Sequence, residues 1–217
     1  MAKVTRKTEG KVAKEVILFN AATPGVDFLS AMYPSPFRDD KGRLWRCVEQ
    51  YFQYHKLSIA NLEDKKLIEL TTELKEKILG SYDPFKVRYF GSQKAGGNMN
   101  PKWDKGLSDK VMLRAQRWKY EQNPLLLVEL MQTRNNELVE DAPWDAIWGS
   151  GKDGNGQNKS GKILMELRRE FRTKIKSTTG LLCEILQAGD NYRAAIEVHF
   201  SKQAMQSATN MKGTRDV

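Results

Sequence analysis

Over residues 44–61 apolar side chains recur at spacings of three, four and seven, with Trp45, Val48, Phe52 and Ile59 in one stripe and His55 on its flank. That period predicts an amphipathic helix. Two charged residues, Glu49 and Lys56, fall inside the stripe rather than opposite it. Seven residues at 100° each bring them within about 20° of one another on one face, roughly 10 Å apart along the axis. The gap is too wide for an i,i+4 ion pair and suits two ends of one small ligand. Charges on an inward face need partners or a purpose. A structural buried ion pair and a functional pair both satisfy the pattern.

The rest of the chain reads as further helices joined by short extended pieces. VILF (16–19) predicts a strand, and Pro34 and Pro36 forbid a regular helix in FLSAMYPSPF (28–37). RDDKGR (38–43) predicts a turn. Residues 64–80 predict a second helix with Gly80 at its end. FKVRYF (85–90) alternates and predicts a short strand, followed by a loop over 91–102. A helix is expected over 105–121, with Val111, Met112, Ala115 and Trp118 inward, then another from PLLLVELMQT and a brief strand in 136–142. KSGKILMELRREFRTKIK predicts a long helix with Ile163, Leu164, Leu167, Phe171 and Ile175 inward. Beyond Ser177 the character changes: 192–200 alternates in its second half, and the polar tail has the composition of a disordered segment.

At 217 residues and 40% apolar, the chain suits one domain with an appendage at one end. No apolar run reaches the roughly 20 residues of a membrane span, and the basic N-terminus lacks a signal-type apolar stretch. Two cysteines without metal spacing imply a reduced, cytosolic protein. The net charge of +9 is concentrated at the ends: residues 1–14 and 201–217 together hold +6 of it. Either end can track phosphates as an arm, or be a solvated tail.

The segment DAPWDAIWGSGKDGNGQNKSGK (141–162) sets two tryptophans and two acids ahead of a glycine-rich loop that runs into a helix. Glycines allow backbone N–H groups to approach an anion, and a helix N-terminus favours one. GQNKSGKI nearly fits a phosphate loop, but Ile163 supplies no hydroxyl for Mg²⁺. Two histidines are too few for a metal centre. What remains is carboxylates, a lysine and tryptophans. Glu49 and Asp145 are the acid/base candidates for cleavage at an anomeric carbon, whose oxocarbenium-like transition state a carboxylate stabilises. Lys56 can balance charge, bind phosphate or act as an amine nucleophile. Trp103, Trp144 and Trp148 can stack on a base or fill a core.

Four blocks, FLSAMYPSPF, WRCVEQYFQYHKL (45–57), NPKWDKGLSDKVMLRAQRWKYEQNP (100–124) and LVEDAPWDAIWGSGKDGNGQNKSGKILMELR (138–168), together resemble the YbiA-like, or NADAR, superfamily in order and spacing. The resemblance covers about residues 16–172 and implies a mainly α, compact single-domain fold with a few short β-strands. Residues 1–15 are then a basic arm, 16–177 the catalytic domain and 178–217 a C-terminal extension. It implies an N-glycosidase in which Glu49, Lys56, Trp103 and Asp145 are catalytic. Tyr33, Phe52, Trp148, Gly149, Gly151, Asn158, Gly161 and Lys162 are expected to hold substrate, the glycines and Lys162 cradling phosphate. Family members act on early riboflavin-pathway intermediates or remove ADP-ribose from guanine in nucleic acid, so the partner is ADP-ribosylated nucleic acid or a phosphorylated ribosyl-base small molecule. The basic ends favour the nucleic acid. The scheme requires no metal and no redox cofactor. One departure stands out: the family's early block usually reads close to LSNFYPSPF, and here Ala31 and Met32 replace an asparagine and an aromatic. Losing that asparagine would shift specificity.

Overall fold

The computed structural model describes residues 15–187, with side chains through residue 175. The expectations for the basic arm, for the alternating 192–200 segment and for the polar tail lie outside the described residues. Two compact units are distinguished, Met1–Arg168 and Arg169–Val217, and every side chain of the cleft described below belongs to the first.

The fold is mainly helical. Strand β1 (Val16–Phe19) pairs in parallel with β4 (Glu137–Glu140), Val16 opposite Glu137 and Phe19 opposite Glu140. Strands β2 (Phe37–Arg38) and β3 (Leu44–Trp45) form an antiparallel hairpin. Its turn is pinned by Asp39, whose Oδ1 accepts from Lys41 N and Arg43 N at 2.9 Å, with Gly42 at φ +76° completing the reversal.

The helix expected over 44–61 is shorter, α1 (Val48–Lys56). Leu44 and Trp45 go to the hairpin instead, and after Lys56 the chain extends, Leu57 bridging to Met99. Ile59 therefore leaves the apolar stripe and is exposed. The start of α1 lacks a capping side chain at Cys47. One orphan group is met from elsewhere, Glu49 N donating to Ala31 O at 2.8 Å, and Gln50 Oε1 accepts from Arg46 N at 2.9 Å, holding the entering chain against the first turn. Gln50 Nε2 reaches on to Ile78 O at 2.9 Å, tying this end to the C-terminus of α2 (Lys65–Gly80).

Residues 85–90 are not a strand. They lie in α3 (Pro84–Phe90), because Asp83 Oδ1 accepts from Phe85 N and Lys86 N, at 2.8 and 3.3 Å, and Pro84 occupies the first helical position. The alternation was carried by the wrong signal; cap chemistry decides. Helix α4 (Ser108–Gln122) follows a wide turn at Trp103–Leu107 that Gly106 makes at φ +87°. Val111, Met112 and Ala115 are buried as expected, and Trp118 is half-buried. Helix α5 (Pro124–Gln132) leads into β4, and α6 (Lys159–Gln187) closes the described chain. In α6 Ile163, Leu164, Leu167 and Phe171 are buried, whereas Ile175 is exposed. Helix α1 packs on α2, α3 and α4, with Leu57, Leu74, Ile78 and Val87 forming a core under it. Among the described residues no helix is long and apolar enough to cross a membrane.

Candidate active site

A cleft of about 360 Å³ opens where these elements meet. Helix α1 contributes Glu49, Phe52, Gln53 and Lys56, so the face predicted from a spacing of seven does open on ligand-sized space. The end of β1 brings Asn20, the end of β4 brings Glu140, and the segment after it brings Trp144, Asp145 and Trp148. Trp103 closes another wall.

Phe52 is the hub of the aromatic wall. Its ring meets Trp103 edge-on at 4.7 Å and Trp148 edge-on at 5.2 Å. Trp103 and Phe52 are buried, so their outer surfaces alone are offered to a ligand, while Trp144 stands 70% exposed at the mouth. Asp145 sets the position of Trp148 locally: Oδ1 accepts from Trp148 N at 2.8 Å and from Ile147 N at 3.0 Å.

Glu49 is fully buried at the first turn of α1, and burial raises its carboxyl above the usual range. The hydrogen bond from Gln53 Nε2 to its Oε1, at 2.9 Å, and the charges of Arg88 and Lys56 pull the other way, while Asp145 adds to the rise. Lys56 is held below the ordinary lysine range by burial, against the attraction of Glu49. Burial thus disfavours the charged form of both groups, the carboxylate and the amine, on one wall of the cleft.

Three side chains of the cleft carry no mark in the sequence pattern. Arg88 is delivered by α3: on a helix it shares a face with Phe85, whereas on the expected strand the two would point to opposite faces. Glu140 is pushed up to about 7, by burial first and by the charges of Glu49 and Asp145, against a hydrogen bond with Ser160. Gln53 positions Glu49. A fourth, Lys119, acts at one remove. It is fully buried, and its Nζ donates to Phe28 O at 2.6 Å and Ser30 O at 2.9 Å, fixing the loop that carries Ala31 and Met32 to the cleft wall. Burial pushes its ammonium down to about 7.

The glycine loop does not line the cleft. The backbone donors of its glycines, expected to be free for an anion, are spent on nearby carbonyls and on the Asn158 side chain. Gly149 N donates to Asp145 O at 3.1 Å, Gly151 N to Ala142 O at 3.2 Å and Gly156 N to Ser150 O at 2.6 Å. The N-terminus of α6 is filled too: Lys159 N and Ser160 N donate to Ile147 O and Trp148 O, both at 3.2 Å. Asn158, at φ +48°, is a structural clamp, its Oδ1 accepting from Glu140 N and Gly161 N and its Nδ2 donating to Leu138 O. Gly161 is needed for close packing, since a Cβ there would lie 2.0 Å from Leu138 O. Lys162 is exposed and away from the cleft. Tyr33 lies in an adjoining pocket.

Compared with known proteins, residues 18–172 match the model of the NADAR domain. N-glycosidase R617 of Acanthamoeba polyphaga mimivirus is 31% identical over 169 residues, covering 70% of this chain and 91% of the viral protein. Riboflavin biosynthesis protein VVA0006 of Vibrio vulnificus is 28% identical over 161 residues, covering 74% of this chain and 40% of that longer protein. The NMR structure of the E. coli protein YbiA superposes with a TM-score of 0.59 at 29% identity, covering 73% of this chain and 86% of that one.

Proposed function

We propose a function from the premise that this chain belongs to the NADAR family. It is an N-glycosidase, a hydrolase of N-glycosyl bonds, as the viral relative is named. The observation that carries the site assignment is that Glu49 and Lys56 face one cleft together with Trp103, Asp145 and Trp148. In the reaction, Glu49 stabilises positive charge growing at the anomeric carbon and helps position the attacking water. Lys56, with its lowered proton affinity, acts beside it, as a charge or as an amine that captures the opened sugar aldehyde. Trp103 and Trp148 stack on the base, and Asp145 orients the ribose while holding Trp148. Arg88 takes over the phosphate role first expected of the glycine loop, since it lines the cleft and the loop's glycines, their N–H groups occupied, do not.

The substrate proposed is ADP-ribosylated guanine in nucleic acid. The positive charge gathered at the two ends of the sequence supports this choice, because a free small molecule has no need of it. Incubating ADP-ribosylated DNA with the protein is the test, read as release of ADP-ribose. The similarity to a riboflavin biosynthesis protein favours a second reading, hydrolysis of a ribosylaminopyrimidine phosphate. Turnover of that compound with no release from DNA would replace the first reading by the second. A non-catalytic ADP-ribose-binding module is the outcome if ADP-ribose binds tightly, binding survives Glu49→Gln and no product forms at any enzyme concentration.

A further inference from the structure

Breaking an N-glycosidic bond leaves the bonding electron pair on the base, which departs readily only if its nitrogen gains a proton. Neither Glu49, which serves the anomeric carbon, nor Asp145, which holds the ribose, gives that proton. Both are engaged as acceptors. Glu49 accepts from Gln53 Nε2 at 2.9 Å and is faced by the charges of Arg88 and Lys56. Asp145 Oδ1 accepts from the backbone N–H groups of Ile147 and Trp148. Glu140, which lines the same cleft, is placed differently. It ends β4 with its backbone fixed on both sides: N donates to Asn158 Oδ1 at 3.1 Å, and O accepts from Ser150 N at 2.8 Å and Ala142 N at 2.9 Å. Its side chain bonds the hydroxyl of Ser160, and Ser160 N donates to Trp148 O at 3.2 Å. The carboxyl is thereby tied to the stretch that carries Trp148, the ring assigned to the base. A hydroxyl accepts from a protonated carboxyl as readily as it donates to an ionised one, so Ser160 can hold either form. The charged groups facing this point are Glu49 and Lys56 from α1, Asp145 from the segment after β4 and Arg88 from α3. Burial first, and then the negative charges of Glu49 and Asp145, raise the Glu140 carboxyl to about 7, against the pull of Ser160 and Arg88.

We propose that Glu140 is a further catalytic residue, the general acid that protonates the leaving base. The inference rests on the reading of the cleft as an N-glycosidase site and completes its proton balance. As the C1′–N bond breaks, its electron pair passes to the base nitrogen, which takes the proton of Glu140. The oxygen of water bonds to C1′, and Glu49 takes the proton that this water loses. One water is consumed, the base leaves neutral, and solvent carries the proton from Glu49 back to Glu140. Two carboxyls in unlike surroundings divide acid and base work in this way. Glu49 has an amide donor and two cations beside it, whereas Glu140 has a hydroxyl and the fields of two other carboxyls.

The test gives the full chain two leaving groups: ADP-ribosylated guanine in a DNA oligonucleotide, and the same oligonucleotide methylated at guanine N7, whose cationic base departs without taking a proton. For the unmethylated substrate, kcat/KM for ADP-ribose release should fall as pH rises through about 7, because Glu140 must carry its proton. Glu140→Gln should lose at least about 10²-fold on that substrate, and the alkaline limb with it. At about pH 6, on the methylated oligonucleotide, the variant should stay within about threefold of the unmutated protein, which certifies its fold. Equal losses on the two oligonucleotides would overturn the assignment, as would an alkaline limb that survives in Glu140→Gln. Where release occurs only from a ribosylaminopyrimidine phosphate, the limb in the unmutated protein and its loss in the variant decide in the same way. Failure of the glycosidase reading looks different: the unmutated protein then releases base from none of these substrates, and the general acid falls with it.

Discussion

Gln53 donates from Nε2 to Glu49 Oε1 at 2.9 Å, while its own Oε1 is buried with no hydrogen-bond partner. The two residues are one helical turn apart, and the orphaned oxygen is pressed toward Gly91, where a Cβ would collide with it. The amide thus gives up its acceptor to hold the carboxylate, a cost of about 1–3 kcal/mol for a buried unsatisfied group. Gln53→Met should therefore change stability little, the lost bond and the relieved acceptor offsetting one another. The effect belongs in the pH profile. Gln53 lowers the proton affinity of Glu49, so its loss should move the acidic limb of kcat/KM to higher pH. An unchanged limb would reduce Gln53 to packing.

Glu49→Gln keeps the volume and removes the charge. Base release should fall by roughly 10²- to 10⁴-fold, the usual range for a positioned acid or base. Substrate binding should persist, and thermal stability at neutral pH should rise because a buried carboxylate no longer has to ionise. A variant that kept more than a tenth of the activity would move catalysis to another group.

Lys56→Arg separates charge from nucleophilicity. If Lys56 acts as a charge, arginine should retain most of the activity and alanine little. If it forms a Schiff base, both variants should fail, and borohydride should trap a sugar adduct in the unmutated protein only. Full activity in Lys56→Ala would exclude both roles.

The sequence carried the face of α1 but not the whole cleft. Glu49 and Lys56 were legible because a helix of any length that includes both puts them on one side, and the ends of α1 could move without disturbing that. Asp145 and Trp148 were legible because they are close in sequence and one hydrogen bond fixes their relation. Arg88 was not, since its delivery depends on whether 85–90 coils or extends, and Asp83 settled that from outside the alternating run. Glu140 reaches the cleft only through the parallel pairing of β1 with β4, a contact across more than a hundred residues that no local period reports. The glycine loop misled for a related reason. Its composition does permit anion binding, but whether its N–H groups are free depends on carbonyls of residues 140–151, which fold back onto them.

Gly161→Ala tests that last point directly. The added methyl would meet Leu138 O at 2.0 Å and the Asn158 amide at 2.7 Å. Neither backbone nor a clamped asparagine can yield cheaply, so the variant should lose several kcal/mol, roughly the upper range for overpacking. A glycine serving phosphate instead would leave the melting temperature near that of the unmutated protein and raise KM. The melting curve and KM together decide between the two.

Glu140→Gln should stabilise the protein in a pH-dependent way. The folded carboxyl titrates near 7 and an unfolded one near 4.5. Between those values the folded state holds a proton that the unfolded state has released, so stability falls as pH rises through the window. The full penalty is present above about pH 7, on the order of 2 kcal/mol once solvent reaching the cleft is allowed for. Glutamine cannot ionise and escapes it. At pH 8 the variant should melt several degrees higher than the unmutated protein, and by pH 4.5 the two curves should nearly coincide. Equal differences at both pH values would mean that Glu140 destabilises by its packing, and that its charge is already satisfied by Ser160 and the cations of the cleft.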